Sequence, residues 1–179
     1  VVQSKIKPNW STLPENYCQQ ANNKTGILIK NVNSLYEKLK PKMKLRFRLR
    51  ANPTKKVSIA DPNKSNNSKK SKKRSNRKNG YRVPLKRREN QLIWIQRKSS
   101  LHGFKILSSG FNLDIPLVKI SNQGDYTGKK GNGRVITHFS VLFEGVLKIE
   151  DLEKFKKTLK NGIGSGKAFG FGLLSIARA

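Results

Sequence analysis

Residues 161–172 read Asn-Gly-Ile-Gly-Ser-Gly-Lys-Ala-Phe-Gly-Phe-Gly, a glycine run holding one cation, Lys167. Glycine lets main-chain N–H groups come close to a phosphate or a base, and a lysine in such a loop adds charge. Gly162, Gly164, Gly166 and Lys167 are therefore candidate contacts to a polyanion. The motifs of nucleotide enzymes do not fit. A P-loop needs Gly-x-x-x-x-Gly-Lys-Ser/Thr between a strand and a helix, whereas Ala168 follows this lysine and strand-like sequence follows the loop. A dinucleotide fingerprint has another glycine spacing and another element order. Lys167-Ala168-Phe169-Gly170-Phe171 echoes the signature of RNA-recognition motifs. In those domains the aromatics stack bases from a central strand; on a last strand, Phe169 and Phe171 are expected to face the core. Helix capping, with Gly170 and Gly172 packed close against a helix, is the alternative role for the glycines.

Cationic chemistry recurs in Lys44-Leu45-Arg46-Phe47-Arg48-Leu49-Arg50. In an extended strand this alternation puts Leu45, Phe47 and Leu49 on one face and Lys44, Arg46, Arg48 and Arg50 on the other. Like charges on one strand face repel unless they are solvated or bound to anions. Lys129, Lys130 and Arg134 stand in a basic, glycine-rich turn (124–133 and the residue after it) between strand-like segments. Such a turn either enters a groove of an RNA stem or is an ordinary solvated hairpin.

Proton transfer near neutral pH has two candidates, His102 and His138. His102 falls where a helix is expected to end, a place where the dipole favours a cationic imidazole. His138 has the parity of Ser140 and Glu144 on a strand, which puts it on a sheet face or at the surface. One cysteine, Cys18, and two histidines fall short of the four ligands of a structural zinc site. No pair of acids has a metal-binding spacing. The residues thus assign no catalytic group, no metal and no cofactor.

These residues sit in a chain of 179 residues with 39 Lys+Arg against 10 Asp+Glu, a formal net charge of +29. An ordinary small-molecule enzyme mixes both signs on its surface. A charge this large opposes compaction unless a polyanion offsets it, so nucleic acid is the first partner and an acidic membrane surface the second. No stretch approaches the ~20 apolar residues needed to span a bilayer, and no signal-peptide pattern opens the chain. A lone cysteine fits a reducing, cytoplasmic setting. The sequence opens on Val1, and its one methionine is Met43, so a segment upstream of Val1 is expected.

The elements that must position these groups follow from periodicity. Residues 1–8 begin as a strand broken at Pro8, and Trp10, Tyr17 and Tyr36 are expected core anchors. The strand over 44–50 ends at Asn52-Pro53. Residues 55–80, with Lys69, Lys70, Lys72, Lys73, Arg74, Arg77 and Lys78, are low in complexity and read as a basic loop. A short strand over 81–85 precedes a helix over 86–102, with Leu92, Ile93, Ile95 and Leu101 as its apolar residues and Gly103 as its stop. Strands follow over 104–107, 113–120 and 135–149. The helix over 151–160 carries Leu152, Phe155 and Leu159 on one face, acids at its start and lysines at its end. A last strand covers 168–178. The order from 81 onward is β-α-β-β-α-β, that of a ferredoxin-like domain. The fold class is α+β, and the domains are read as 1–54, the remainder of an incomplete first ferredoxin-like domain; 55–80, the basic loop; and 81–179, a second ferredoxin-like (RRM-like) domain.

Several stretches carry a resemblance. Val1-Val2-Gln3-Ser4 with Pro8-Asn9-Trp10-Ser11 comes first, then Leu45-Arg46-Phe47-Arg48-Leu49-Arg50-Ala51-Asn52-Pro53-Thr54. Val141-Leu142-Phe143-Glu144-Gly145 and the glycine run from Gly162 through Ser175 complete the set. In this order they resemble the CRISPR-associated CasE family, the precursor-crRNA endoribonucleases of subtype I-E Cascade.

The resemblance implies tandem ferredoxin-like domains that bind the repeat stem-loop of a CRISPR transcript. It implies metal-independent cleavage at the 3′ base of the stem. The RNA's own 2′-hydroxyl attacks the adjacent phosphate and leaves a 2′,3′-cyclic phosphate, and the protein stays on the hairpin beside other Cascade subunits. The family's catalytic His sits on the first helix of the first domain, which would precede Val1, so no residue of this sequence corresponds to it. The family's RNA contacts map onto the hairpin residues Lys129, Lys130 and Arg134, onto the basic helix at Arg97 and Lys98, and onto the loop from Gly162 to Lys167. The competing reading is a non-catalytic RNA-binding module of the ribosomal or RNA-recognition type.

Overall fold

A computed structural model of the chain describes residues 4, 6–11, 31–57, 80–110, 115–129, 131, 133 and 135–179. It divides into two compact units, 1–40 and 41–179. The first holds α1 (Asn33–Glu37). Trp10 and Tyr36 are half-buried rather than core anchors, and Ser4 and residues 6–8 join no strand. Tyr17, Cys18 and most of the basic loop (58–79) lie outside the described residues.

The second unit is built on β1 (Lys44–Ala51), where Leu45, Phe47, Leu49 and Ala51 are buried and Lys44, Arg46, Arg48 and Arg50 are exposed. The alternation seen in sequence is thus a half-buried strand. It pairs antiparallel with β6 (Val135–Ile149) on one edge and with β7 (Leu174–Arg178) on the other. β4 (Phe104–Ile106) and β5 (Val118–Lys129) both pair with β6, giving a sheet ordered β4-β6-β1-β7 with β5 off that path. With α2 (Arg88–Leu101) and α3 (Leu152–Asn161), the chain order β1-α2-β4-β6-α3-β7 is a ferredoxin-like β-α-β-β-α-β unit.

Its first strand is therefore β1 and not the segment at 81–85. That segment is β3 (Tyr81–Pro84), which pairs with β2 (Thr54–Val57) in a separate two-stranded ribbon. The physical reason is burial. β3 buries no side chain fully, whereas β1 buries every second one. The strand read as part of a first domain over 1–54 thus lies inside the second unit, which begins at Pro41.

Both helices cover the apolar face of the sheet. Trp94 of α2 stacks on Phe143 at 5.7 Å, and Phe104 meets Phe155 of α3 edge-on at 5.8 Å and Phe47 at 6.2 Å. Burying one such ring contributes roughly 1.5–3 kcal/mol. Arg46, Arg48 and Arg50 consequently point away from both helices. In α2 the buried residues are Gln91, Trp94, Ile95 and Ser99, while Ile93 and Leu101, expected to face the core, are 63% and 64% exposed. Apolar residues at 92, 93, 95 and 101 form no single stripe, so packing selects Trp94 instead. Gln91 is accommodated because its amide donates to the Leu85 and Lys86 carbonyls and to Asn122 Oδ1. α3 follows its sequence pattern, with Phe155 and Leu159 buried and Asp151 capping its start by accepting from the Lys154 amide at 3.0 Å.

Two other expectations change. The residues expected as a turn from Gly124 onward belong largely to β5, which runs on to Lys129 with a bulge between Asn122 and Gly124. The last strand starts at Leu174, not at 168, because a 3₁₀ turn (Lys167–Phe169) intervenes.

Candidate nucleic-acid interface

The glycine loop leaves α3 at Gly162 and returns at Gly172. Ile163 N donates to the Gly172 carbonyl at 2.8 Å, and Gly172 N donates to the Arg50 carbonyl at 2.7 Å. The pinch demands glycine at both ends. Gly162 and Gly172 have φ of 71° and 88°, and a Cβ would stand 2.7 Å from the Gly172 oxygen or 2.5 Å from the Ile163 oxygen respectively. Gly172 therefore packs on the loop's own other end rather than on a helix, and Gly170 meets nothing within 4 Å. The glycine that touches a helix is Gly164, whose Cβ would lie 3.2 Å from the Trp94 ring.

That contact brings the loop onto α2 and gathers cations. Lys98 lies near the Trp94 ring, 5.9 Å from its centroid. Partial burial, and then Arg97, Arg82 and Lys167, push the Lys98 ammonium below its ordinary pKa. Arg82, Arg97, Lys98 and Lys167 thus converge from β3, α2 and the loop. Among the described residues none of these cations has an ion pair. Several of the described acids pair elsewhere, Glu144 with Arg48, Asp125 with Lys86, and Glu150 with Lys148 and Lys42, which hold its carboxyl down to about 2. Neighbouring cations of this kind raise the local positive potential.

The sequence candidates divide over two surfaces. Arg97, Lys98 and Lys167 are brought together beside Gly164 and Gly166. Arg46, Arg48 and Arg50 stand on the far face of the sheet, where Arg48 Nε meets Glu144 Oε1 at 3.3 Å. Lys129 is exposed near the end of the β5–β6 hairpin, whose residues 135–140 have no β1 partner. Lys130 and Arg134 lie outside the described residues. Arg82 was missed in sequence. Its only signal was its place beside an expected strand, and its role depends on Nη1 donating to Thr54 Oγ1 at 3.1 Å across the ribbon.

The histidines keep their expected places, His102 at the end of α2 and His138 on β6, and gain specific partners. His102 Nδ1 lies 2.9 Å from Thr158 Oγ1. Partial burial, and then Lys98 and Lys167, lower its pKa from 6.5, against the dipole. The folded state then binds fewer protons than the unfolded one, so this contribution to stability is full above 6.5 and is lost as pH falls through the lower folded value. Urea unfolding followed across that window is expected to show a steeper loss for the natural chain than for His102→Gln; equal slopes would refute it. His138 stands half-buried on a face of β6, the sheet-face setting of its two expected ones. Asn52 Nδ2 donates to its Nδ1 at 2.9 Å, which puts the ring proton on Nε2, and Phe169 and Phe171 pack against it at 4.6 and 5.6 Å. The 3₁₀ turn causes this, carrying Phe169 back over the hairpin. Among the described residues no group of three or more His, Cys, Asp or Glu could hold a metal ion, and no helix is long and apolar enough to cross a membrane.

The chain can now be set beside known proteins. A family model described as CRISPR associated protein matches residues 1–178. The CRISPR-associated endoribonuclease Cse3 of Thermus thermophilus is 32% identical over 179 residues, covering 99% of this chain and 72% of that protein. The CRISPR system Cascade subunit CasE of Escherichia coli is 37% identical over 134 residues, covering 74% of this chain and 57% of its own length. The solved structure of Cse3 bound to a 19-nucleotide RNA superposes with a TM-score of 0.68 at 32% identity, covering 98% of this chain and 71% of that one.

Proposed function

Because the chain belongs to the family of CRISPR-associated proteins that its residues 1–178 match, we propose that it binds the repeat stem-loop of a CRISPR transcript. It does so as the RNA-holding part of a precursor-crRNA endoribonuclease. The cleavage is the transesterification implied by the resemblance. The 2′-oxygen bonds to the adjacent phosphorus, the bond to the 5′-oxygen breaks, a base takes the hydroxyl proton and an acid protonates the leaving oxygen. No residue of this sequence is assigned the role of that base or that acid. The protein then stays on the hairpin beside other Cascade subunits, in the cytoplasm. The names of the Thermus and Escherichia relatives, an endoribonuclease and a Cascade subunit, support this reading.

The observation that carries the proposal is the gathering of α2 and the glycine loop at Trp94, where Lys98 lies 5.9 Å from the ring centroid and feels Arg97, Arg82 and Lys167, none of which has an ion pair among the described residues. Flanked by the β5–β6 hairpin, it suits a stem backbone better than a flat strand. A-form RNA has a deep, narrow major groove that side chains read poorly, so recognition combines stem phosphates with an unpaired or distorted end. A labelled stem-loop bound to the chain should accordingly be displaced far better by unlabelled stem-loop than by a single strand of the same composition. Equal displacement would leave only a single-strand binder.

A further inference from the structure

We propose that Phe169, with Tyr126 beside it, is a stacking platform for one unpaired nucleobase at the end of the bound stem; this rests on the RNA-binding reading above. Phe169 is 53% exposed and Tyr126 49% exposed, whereas Phe171 between them is buried. The Phe169 ring is not loose. Its turn is closed by Phe169 N and Phe171 N donating to the Gly166 carbonyl at 2.9 and 3.3 Å and by Gly170 N donating to the Lys167 carbonyl at 3.1 Å. One side of the ring rests on His138 at 4.6 Å, and the ring keeps half its surface in water. Tyr126 is the direct cross-strand partner of His138, and its ring meets Phe171 edge-on at 6.5 Å.

The chemistry of the surroundings selects the ligand. Lys167 lies two positions before Phe169 and belongs to the cation cluster, so a backbone lying on those cations brings its terminal nucleotide to the ring. Two half-exposed rings are too small an area for a docked protein, which needs roughly 800 Å² per partner. A flat base stacking on an exposed aromatic needs no more than one ring face. Beneath the platform, His138 Nε2 and Asn52 Oδ1 are buried and have no hydrogen-bond partner among the described residues. A donor and an acceptor left open at one place mark a site that something polar completes.

The test uses the full 179-residue chain and two stem-loop RNAs, each with a single unpaired 2-aminopurine, at the 5′ end in one and the 3′ end in the other. Matching abasic RNAs serve as controls. The natural chain should quench one of the two probes on binding. Phe169→Ala should abolish that quenching and weaken binding of the base-bearing RNA by roughly 10-fold, with no change for the abasic RNA. Phe169→Trp should restore both. Phe169→Leu keeps an apolar cover over His138, so it separates stacking from packing and should behave like the alanine variant while melting like the natural chain. The inference is overturned if Phe169→Leu quenches and binds like the natural chain, or if neither probe is quenched although both RNAs bind. A natural chain that binds none of these RNAs would instead overturn the RNA reading itself.

Discussion

Raising salt from about 50 to about 200 mM is expected to cost the chain roughly 10³–10⁵ in affinity for a repeat stem-loop, the loss typical of 6–10 phosphate contacts. Each neutralised phosphate releases condensed counterions, and added salt opposes that release. The +29 charge alone would give a nonspecific version of the effect, so the variants carry the argument. Lys98→Ala and Lys167→Ala should each lower the slope of log affinity against log salt by about 1, uniformly across RNA sequences. Arg48→Ala should change it less, because Arg48 already faces Glu144 at 3.3 Å on the opposite side of the sheet. A flat response in the natural chain, or a larger effect at Arg48 than at Lys98, would move the interface away from α2 and the glycine loop.

Incubated in EDTA with the same hairpin, the chain by itself should hold the RNA and leave it essentially uncut. A longer protein adding the family's histidine-bearing helix should cut it without metal. General acid–base catalysis, a role assigned to no residue of this sequence, accounts for roughly 10²–10⁴-fold. Each imidazole of this sequence has its Nδ1 engaged, that of His138 by Asn52 beneath Phe169 and that of His102 by Thr158. Of the pair, His102 is the informative control, since it feels Lys98 and Lys167 and so lies by the cation cluster. Lysines and loop amides stabilise a developing charge without moving protons, which leaves slow residual cleavage at most. Robust cutting by the 179-residue chain that vanishes in His102→Ala or His138→Ala would place the catalytic group within this sequence. Cutting that requires Mg²⁺ would contradict the metal-independent scheme.

The sequence by itself determined whatever depends on near neighbours along the chain. The alternation in Lys44–Ala51, the spacing of Phe155 and Leu159 and the full length of Val135–Ile149 all appear where their patterns put them. These follow from periods of 2 and 3.6, which need no knowledge of partners. The charge and the resemblance motifs are likewise local properties.

Tertiary structure decided which pieces meet. Nothing within 44–51 says that it pairs with 141–148 on one edge and 174–178 on the other, so its place in the sheet is set by those distant partners. The short run at 81–84 looked equally strand-like but had no buried face with which to enter the sheet. The functional surface is of the same kind. Arg82, Arg97, Lys98 and Lys167 are scattered over three elements, and they converge only because Gly164 lets the loop close on Trp94. Phe169, read as a core residue of a last strand, became an exposed ring because left-handed Gly166 and Gly170 bend the chain into a 3₁₀ turn over His138. Strand pairing and side-chain convergence are contacts between residues far apart in sequence; they depend on how every packed face is satisfied at once, and no local period encodes them.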